Sequence, residues 1–523
     1  MRKRAKGTLL CFFILTALPA AAQAPAAFPG LEPDPRAEAF ARRERNGGYG
    51  WEDLAEISLW ASGAEGPGPL LERIRAAAAE LAAETAALDL PAPRSGAGAR
   101  ALGEYVLSFM HRKFLKSYSL PQTRVDTMLA NGRYNCVSSA VLYLILARSA
   151  GLELRGVMTK DHAFAAVNAG GEWVDVETTN PYGFDPGNRK DFHDRFGRVT
   201  GFAYVPAKNY RDRAFISPLE LVSLILSNRV AALEKAGRFA EAVPLAIDRA
   251  ALLGGGGTAS SEFFEDPHRD MMNRVFNYGA FLGRAGREED ALRWAAYAGA
   301  KYPDEERWQE FIAAAVNNRL VKFFRQKDAA GGREFLAAHA ALLNQADYRR
   351  FDALTTDAEL TERVSGLRDA ADAGALLDAV DAAEKQTLLA GERAVELRTA
   401  VIGKTAELLA AGKGADAGRS AGRTAGGGAA NRPSAARPAA DWSAAIAYLE
   451  SALTRYGPNR QLEQMLGGYR SNHAVEFHNR FAAAYNRKDF EEAEKILAEG
   501  LALYPDNRQL LADRRTAEKN FNH

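Results

Sequence analysis

Cysteine is scarce in this sequence: 523 residues hold two, Cys11 and Cys136. Charge of one sign is missing as well, since 67 Lys+Arg stand against 66 Asp+Glu for a net +1. With no basic excess, the sequence does not recommend nucleic acid or an anionic membrane as a partner. Apolar runs long enough to span a bilayer are also lacking. The run LLCFFILTAL near the N-terminus is too short for a comfortable span.

What the N-terminus does have is Arg2, Lys3, Arg4 and Lys6, then that apolar run, then Ala20-Ala21-Ala22. A basic n-region, an apolar h-region and a small-residue cleavage site read as a cleavable secretory signal over 1–22. The expectation is a secreted or periplasmic protein with no transmembrane anchor after signal removal. Loss of the four basic residues takes the net charge from +1 to about −3. Cys11 leaves with the signal, so the mature chain keeps Cys136 alone, exported to an oxidising environment and unable to form an internal disulfide. That argues for a thiol retained for its reactivity.

The stretch NGRYNCVSSAVLYLILARSAGLELRGVMTKDHAFAAVNAGGEWVDVETT, from Asn131 to Thr179, concentrates the chemistry. Asn135 is positioned to cap a helix with apolar Val137, Ala140, Val141, Leu144 and Ile145, and Gly151 stops it. Cys136 then sits in the first turn, where unpaired amides and the positive end of the helix dipole favour a thiolate and supply a candidate oxyanion donor. After a strand near Leu152 to Met158, His162, Phe164 and Ala166 fall on one face of a second strand. A turn at Asn168 to Gly171 follows, and Trp173, Asp175 and Glu177 share a face of the returning strand. Residues equidistant from a hairpin turn come opposite each other, which makes His162 a neighbour of the Asp175 to Glu177 end. A thiol needs a base and the base needs an orienting group, so Cys136, His162 and either Asp175 or Glu177 read as a triad.

These residues resemble the core of the transglutaminase-like superfamily. Its pattern is a G-x-C helix, then H-A-hydrophobic on a strand, then W-x-x-hydrophobic-D-x-T. Gly132 lies a little further from Cys136 than the family glycine, while His162 takes the histidine position. Trp173 and Thr179 bracket the acidic position, where Glu177 stands in place of Asp and leaves Asp175 as a competitor. The resemblance covers residues 101–212, about a fifth of the chain. It implies an α+β papain-like/transglutaminase-like core within a mostly α-helical, multidomain chain. It also implies cysteine-dependent acyl transfer from an amide of a peptide or protein substrate, to water or to an amine, with no cofactor and no metal. Some members of the fold use an upstream side chain in the oxyanion hole, a position open to the loop residue Gln122.

Elsewhere the sequence is helical. An N-terminal helical segment spans 23–100, with pieces near Trp51 to Ser62 and Leu70 to Leu88. Leu102, Tyr105, Val106, Phe109, Met110 and Phe114 then mark an amphipathic scaffold helix before the cysteine. Asp185, Asp191, His193 and Asp194 match no calcium or zinc spacing and read as a polar loop, and a strand near Phe202 to Val205 is expected to close the sheet. Ser217-Pro218-Leu219-Glu220 combines an N-cap, a first-turn proline and a capping-box glutamate. It opens a repeat region over 213–411. Asp290-Ala291-Leu292 with Tyr302-Pro303-Asp304 recurs as Glu492-Ala493-Glu494 with Tyr504-Pro505-Asp506, and Gly237-Arg238-Phe239 resembles the turn of the same unit. The pattern is similar to degenerate tetratricopeptide-type hairpins, an array that either binds peptide or protein partners along a concave face or serves packing alone. Residues 412–440, poor in large apolar residues, read as a flexible linker to a last set of hairpins at 441–523. The competing functional reading is a catalytically inactive scaffold whose repeats assemble protein partners in the cell envelope.

Overall fold

The computed structural model describes residues 28–46, 48–88, 90–93, 95–160, 162–188, 192, 213–254, 266–412 and 441–521. The expected signal peptide, the strand near Phe202, the linker at 413–440, and Asp191, His193 and Asp194 lie outside the described residues. The chain divides into two compact units, Met1–Trp308 and Gln309–His523.

The first unit carries helices α1 (Pro35–Arg45), α2 (Trp51–Ser62), α3 (Gly68–Ala86), α4 (Gly96–Lys113), α5 (Val125–Asn131) and α6 (Cys136–Ser149). After the sheet come α7 (Pro218–Lys235), α8 (Phe239–Leu252), α9 (Pro267–Arg284) and α10 (Glu288–Lys301). Two short strands, β1 (Ser117–Tyr118) and β2 (Arg133–Tyr134), pair in parallel. Strands β3 (Leu154–Thr159), β4 (Ala163–Ala169), β5 (Glu172–Val176) and β6 (Arg213–Ile216) form an antiparallel sheet in the order β5-β4-β3-β6. The turn between β4 and β5 is held by Gly171 N–H donating to Asn168 Oδ1 at 2.8 Å.

Helix α6 is the centre of this unit. Every residue from Cys136 to Ala147 is buried, as a helix must be when it is apolar all round rather than along one stripe. Helices α2, α4 and α7 and strands β3 and β4 pack around it. At about 1.5–3 kcal/mol for each fully buried Val, Leu or Ile, this helix anchors the elements that carry the site.

The expected α+β papain-like/transglutaminase-like core is corrected by this architecture. The described chain is predominantly helical, with nineteen α-helices and only one two-stranded and one four-stranded sheet. The apolar runs around Val157, Ala165 and Val174 do form strands, but each element is two to seven residues long. Alanine- and leucine-rich segments on both sides form helices instead. Local β patterning set the hairpin, and helix propensity over the remaining length set the class.

The helical region is repeat-like. Ser217 caps α7 in the expected box, its Oγ accepting from Glu220 N–H at 3.1 Å while Ser217 N–H donates to Glu220 Oε2 at 2.6 Å. Five helix–helix turns then share one geometry. Gly237, Gly286, Lys327, Thr387 and Lys488 adopt φ of 75°, 76°, 58°, 60° and 64°. The next N–H in each case donates five residues back: Arg238 to Leu233, Arg287 to Leu282, Asp328 to Phe323, Leu388 to Ala383 and Asp489 to Ala484. This is the Schellman closure, for which glycine is the low-cost residue.

Within the second unit these turns join α11 (Arg307–Arg325, which begins at the boundary) to α12 (Ala329–Ala338), α14 (Ala373–Lys385) to α15 (Gly391–Ala411), and α17 (Arg460–Asn486) to α18 (Phe490–Leu503). Helices α13 (Gln345–Gly366), α16 (Trp442–Tyr456) and α19 (Arg508–Phe521) complete it. The recurring Tyr-Pro-Asp strings also match in structure: Tyr302 and Tyr504 end α10 and α18 with φ/ψ of −125°/68° and −132°/67°.

Candidate active site

The parallel β1–β2 pair sets Tyr118 opposite Tyr134, and two residues later the chain enters α6. Asn135 caps that helix: its Oδ1 accepts from Ser138 N–H at 3.0 Å, and Asn135 N–H donates to Ser138 Oγ at 2.9 Å. Asn135 Nδ2 also donates to Leu120 O at 3.1 Å, and Ser138 Oγ donates to Gln122 O at 3.2 Å. These bonds tie the helix start to the preceding loop. Cys136 is the first helical residue and keeps 8% of its surface exposed, next to amides that have no intrahelical acceptor.

His162 sits at the mouth of β4, its carbonyl accepting from Thr159 N–H at 2.9 Å. Its Nε2 lies 2.6 Å from Glu177 Oε2, with the two side chains 8% and 0% exposed. The other carboxylate oxygen of Glu177 accepts from Thr179 N–H at 3.2 Å and Thr179 Oγ1 at 2.7 Å. With Nε2 engaged by Glu177, Nδ1 is the nitrogen left for exchange with sulfur, and the imidazole and Cys136 lie close enough to interact electrostatically. Burial of the ring disfavours its charged form. The charge of Glu177, the hydrogen bonds with Cys136 and Glu177, and the charge of Cys136 outweigh that burial and hold His162 well above the ordinary histidine range.

Asp175 is not part of this contact. It pairs with Arg213 on β6 through two bonds of 2.8 and 2.7 Å, on the sheet face where Arg213 lies over Phe164 and Arg155 lies 4.4 Å over Trp173. Gln122 is also spent elsewhere, since its Nε2 donates to the Arg124 and Arg133 carbonyls at 2.8 and 3.3 Å. Asp185 pairs with Arg100 at 2.7 Å, and the described residues contain no group of three metal-ligating side chains.

Three residues around the site escaped the sequence reading. His111 on α4 holds Thr178 O through Nε2 at 3.0 Å, and burial pushes its imidazole down to about 4 against the pull of that bond and of Glu177. Tyr134 donates to Thr179 O at 3.1 Å. Tyr118 stands edge-on to Tyr134, with ring centroids 5.8 Å apart. Each comes from an element remote in sequence from His162, and only its spacing within its own element was visible. The loop after Glu177 is closed by Gly183, whose N–H donates to Asn180 O and whose carbonyl accepts from Glu177 N–H. A Cβ at Gly183 would lie 2.0 Å from Glu177 O, so only glycine fits there.

No family model and no curated protein matches the sequence. Among solved structures, the crystal structure of menin, described as revealing its binding site for Mixed Lineage Leukemia protein, is similar over 85% of this chain and 93% of that chain, at 11% identity and a TM-score of 0.27. A score at that level carries no argument about the fold or activity of this chain. No helix among the described residues is long and apolar enough to cross a membrane.

Proposed function

We propose that this chain is an exported cysteine acyltransferase or hydrolase acting on amide groups of a peptide or protein substrate. The observation that carries the reading is the 2.6 Å His162–Glu177 bond with Cys136 against the same imidazole. The sequence resemblance to the transglutaminase-like superfamily in Cys136, His162 and WVDVETT supports the same chemistry. In the resting site His162 holds the proton and Cys136 is the nucleophile. Sulfur attacks the amide carbon, the imidazolium delivers its proton to the departing amine, and a thioester forms. The neutral imidazole then takes a proton from water or from an acceptor amine as that thioester is resolved. Glu177 orients the ring and balances its charge.

The test is alkylation by iodoacetamide at pH 7, with Cys136→Ser as the background. Cys136 in the folded protein is expected to label faster than in urea, and His162→Ala to slow it toward the unfolded rate. A thiol that reacts only after denaturation would reverse the assignment and leave the helical repeats, as an assembly scaffold, to carry the function. Acyl transfer from p-nitrophenyl acetate, with and without an added primary amine, separates hydrolysis from transamidation.

A further inference from the structure

A tetrahedral intermediate at Cys136 calls for a donor to its oxyanion besides the first-turn amides of α6, and Gln122, a loop residue open to that role, is bonded to two backbone carbonyls. Tyr118 offers a hydroxyl near the sulfur. Its strand is fixed against β2 by the Tyr118–Tyr134 register and by Ser119 N–H donating to Tyr134 O at 2.7 Å. Its ring is wedged edge-on against Tyr134. Its hydroxyl is buried and has no nitrogen or oxygen partner among the described residues. We propose that the Tyr118 hydroxyl is the side-chain donor of the oxyanion hole.

The group that the hydroxyl faces is the Cys136 sulfur, and burial together with the charges of Cys136, Glu177 and Tyr134 raises its pKa, so it stays a protonated donor at any working pH. In the resting protein the Cys136 sulfur is its hydrogen-bond neighbour, and no oxygen or nitrogen acceptor reaches it among the described residues. An oxyanion formed at that sulfur supplies one. The step balances without a further reagent. The sulfur lone pair forms the C–S bond, the carbonyl π pair moves onto oxygen, and that oxygen accepts the Tyr118 O–H hydrogen bond. On collapse the pair re-forms C=O, the bond to the leaving group breaks, and the leaving amine takes the proton from His162. No proton leaves Tyr118.

This assignment rests on the acyl-transfer reading, and Tyr118→Phe tests the two separately in the full chain. The substitution keeps the ring and removes only the oxygen. Acylation of Cys136 by p-nitrophenyl acetate, followed by p-nitrophenolate release, is expected to fall roughly 10²-fold, the usual loss for one oxyanion donor. Alkylation by iodoacetamide, a displacement that develops no oxyanion, is expected to change far less than acylation. Equal losses in acylation and alkylation would make Tyr118 a thiolate-positioning residue and overturn the proposal. So would unchanged acylation. A wild-type protein that alkylates but does not acylate removes the acyl-transfer reading, and this donor with it.

Discussion

Acid should unlatch the loop that carries Glu177, and His111 is the group through which it acts. The His111 imidazole is held at about 4 in the folded chain against 6.5 for the free group, because burial disfavours its charge. A base whose folded pKa lies below its unfolded one binds its proton more weakly when folded. Its contribution to stability is therefore complete above about pH 6.5 and drains away as pH falls toward 4. At 1.36 kcal/mol per pKa unit, that window removes about 3 kcal/mol. His162 behaves oppositely. Its folded pKa is raised above 6.5, so its contribution is already complete below pH 6.5, disappears only as pH climbs through the raised value, and adds no slope in the acid window.

His111→Gln isolates the effect, because an amide can still donate to Thr178 O but does not titrate. Urea midpoints read by tryptophan fluorescence at pH 7, 6, 5 and 4 report on the right region: Trp51, Trp60, Trp173, Trp294 and Trp308 lie in the first unit and Trp442 in the second. Wild type is expected to lose about 3 kcal/mol more than the variant between pH 7 and 4. At neutral pH the variant is expected to be about 1–2 kcal/mol weaker, from lost packing. Cys136 labelling at pH 5 should rise in wild type more than in the variant as the loop opens. Parallel acid profiles for the two proteins would refute the assignment of this slope to His111.

The remaining expectations use the same protein. Glu177→Gln should lower kcat/KM for acyl transfer by roughly 10²- to 10⁴-fold, whereas Asp175→Asn should leave that rate near wild type and cost about 1–3 kcal/mol through loss of the charged pair with Arg213; the reverse ranking would make Asp175 the third member. Gly183→Ala forces its Cβ onto Glu177 O and should cost on the order of 2 kcal/mol in urea melts while slowing Cys136 chemistry. An alanine protein as stable as wild type would mean that the loop relaxes freely. Lys488→Gly removes a left-handed lysine, φ 64°, from a helix turn and should stabilise the second unit by about 0.5–1 kcal/mol in calorimetry. A loss there would contradict the turn assignment.

The site was more legible in the sequence than the fold, and the reason is the range over which each is decided. The Asn135 cap, the Cys136 start of α6 and the Asn168 to Gly171 turn are set by residues within four positions of one another. The hairpin brings His162 toward the far end of the returning segment, where Glu177 lies, without knowledge of the rest of the chain. Asp175 and Glu177 could not be separated that way, because the sequence reads both as two-periodic positions of one strand, whereas β5 ends at Val176 and Glu177 follows it. What separates them is Arg213 on β6, which takes Asp175 through a strand pairing that nothing near residue 175 encodes. Fold class failed for a related reason. The α6 run is apolar on all sides, so its period announces burial but not the identity of its neighbours. Those neighbours are the helices α2, α4 and α7 as well as the sheet. His111 and Tyr118 belong with them: each reaches the site from an element fixed against α6 by tertiary packing. The local sequence therefore places the candidate site residues, and the long-range packing selects which groups surround them and hence whether His162 is charged.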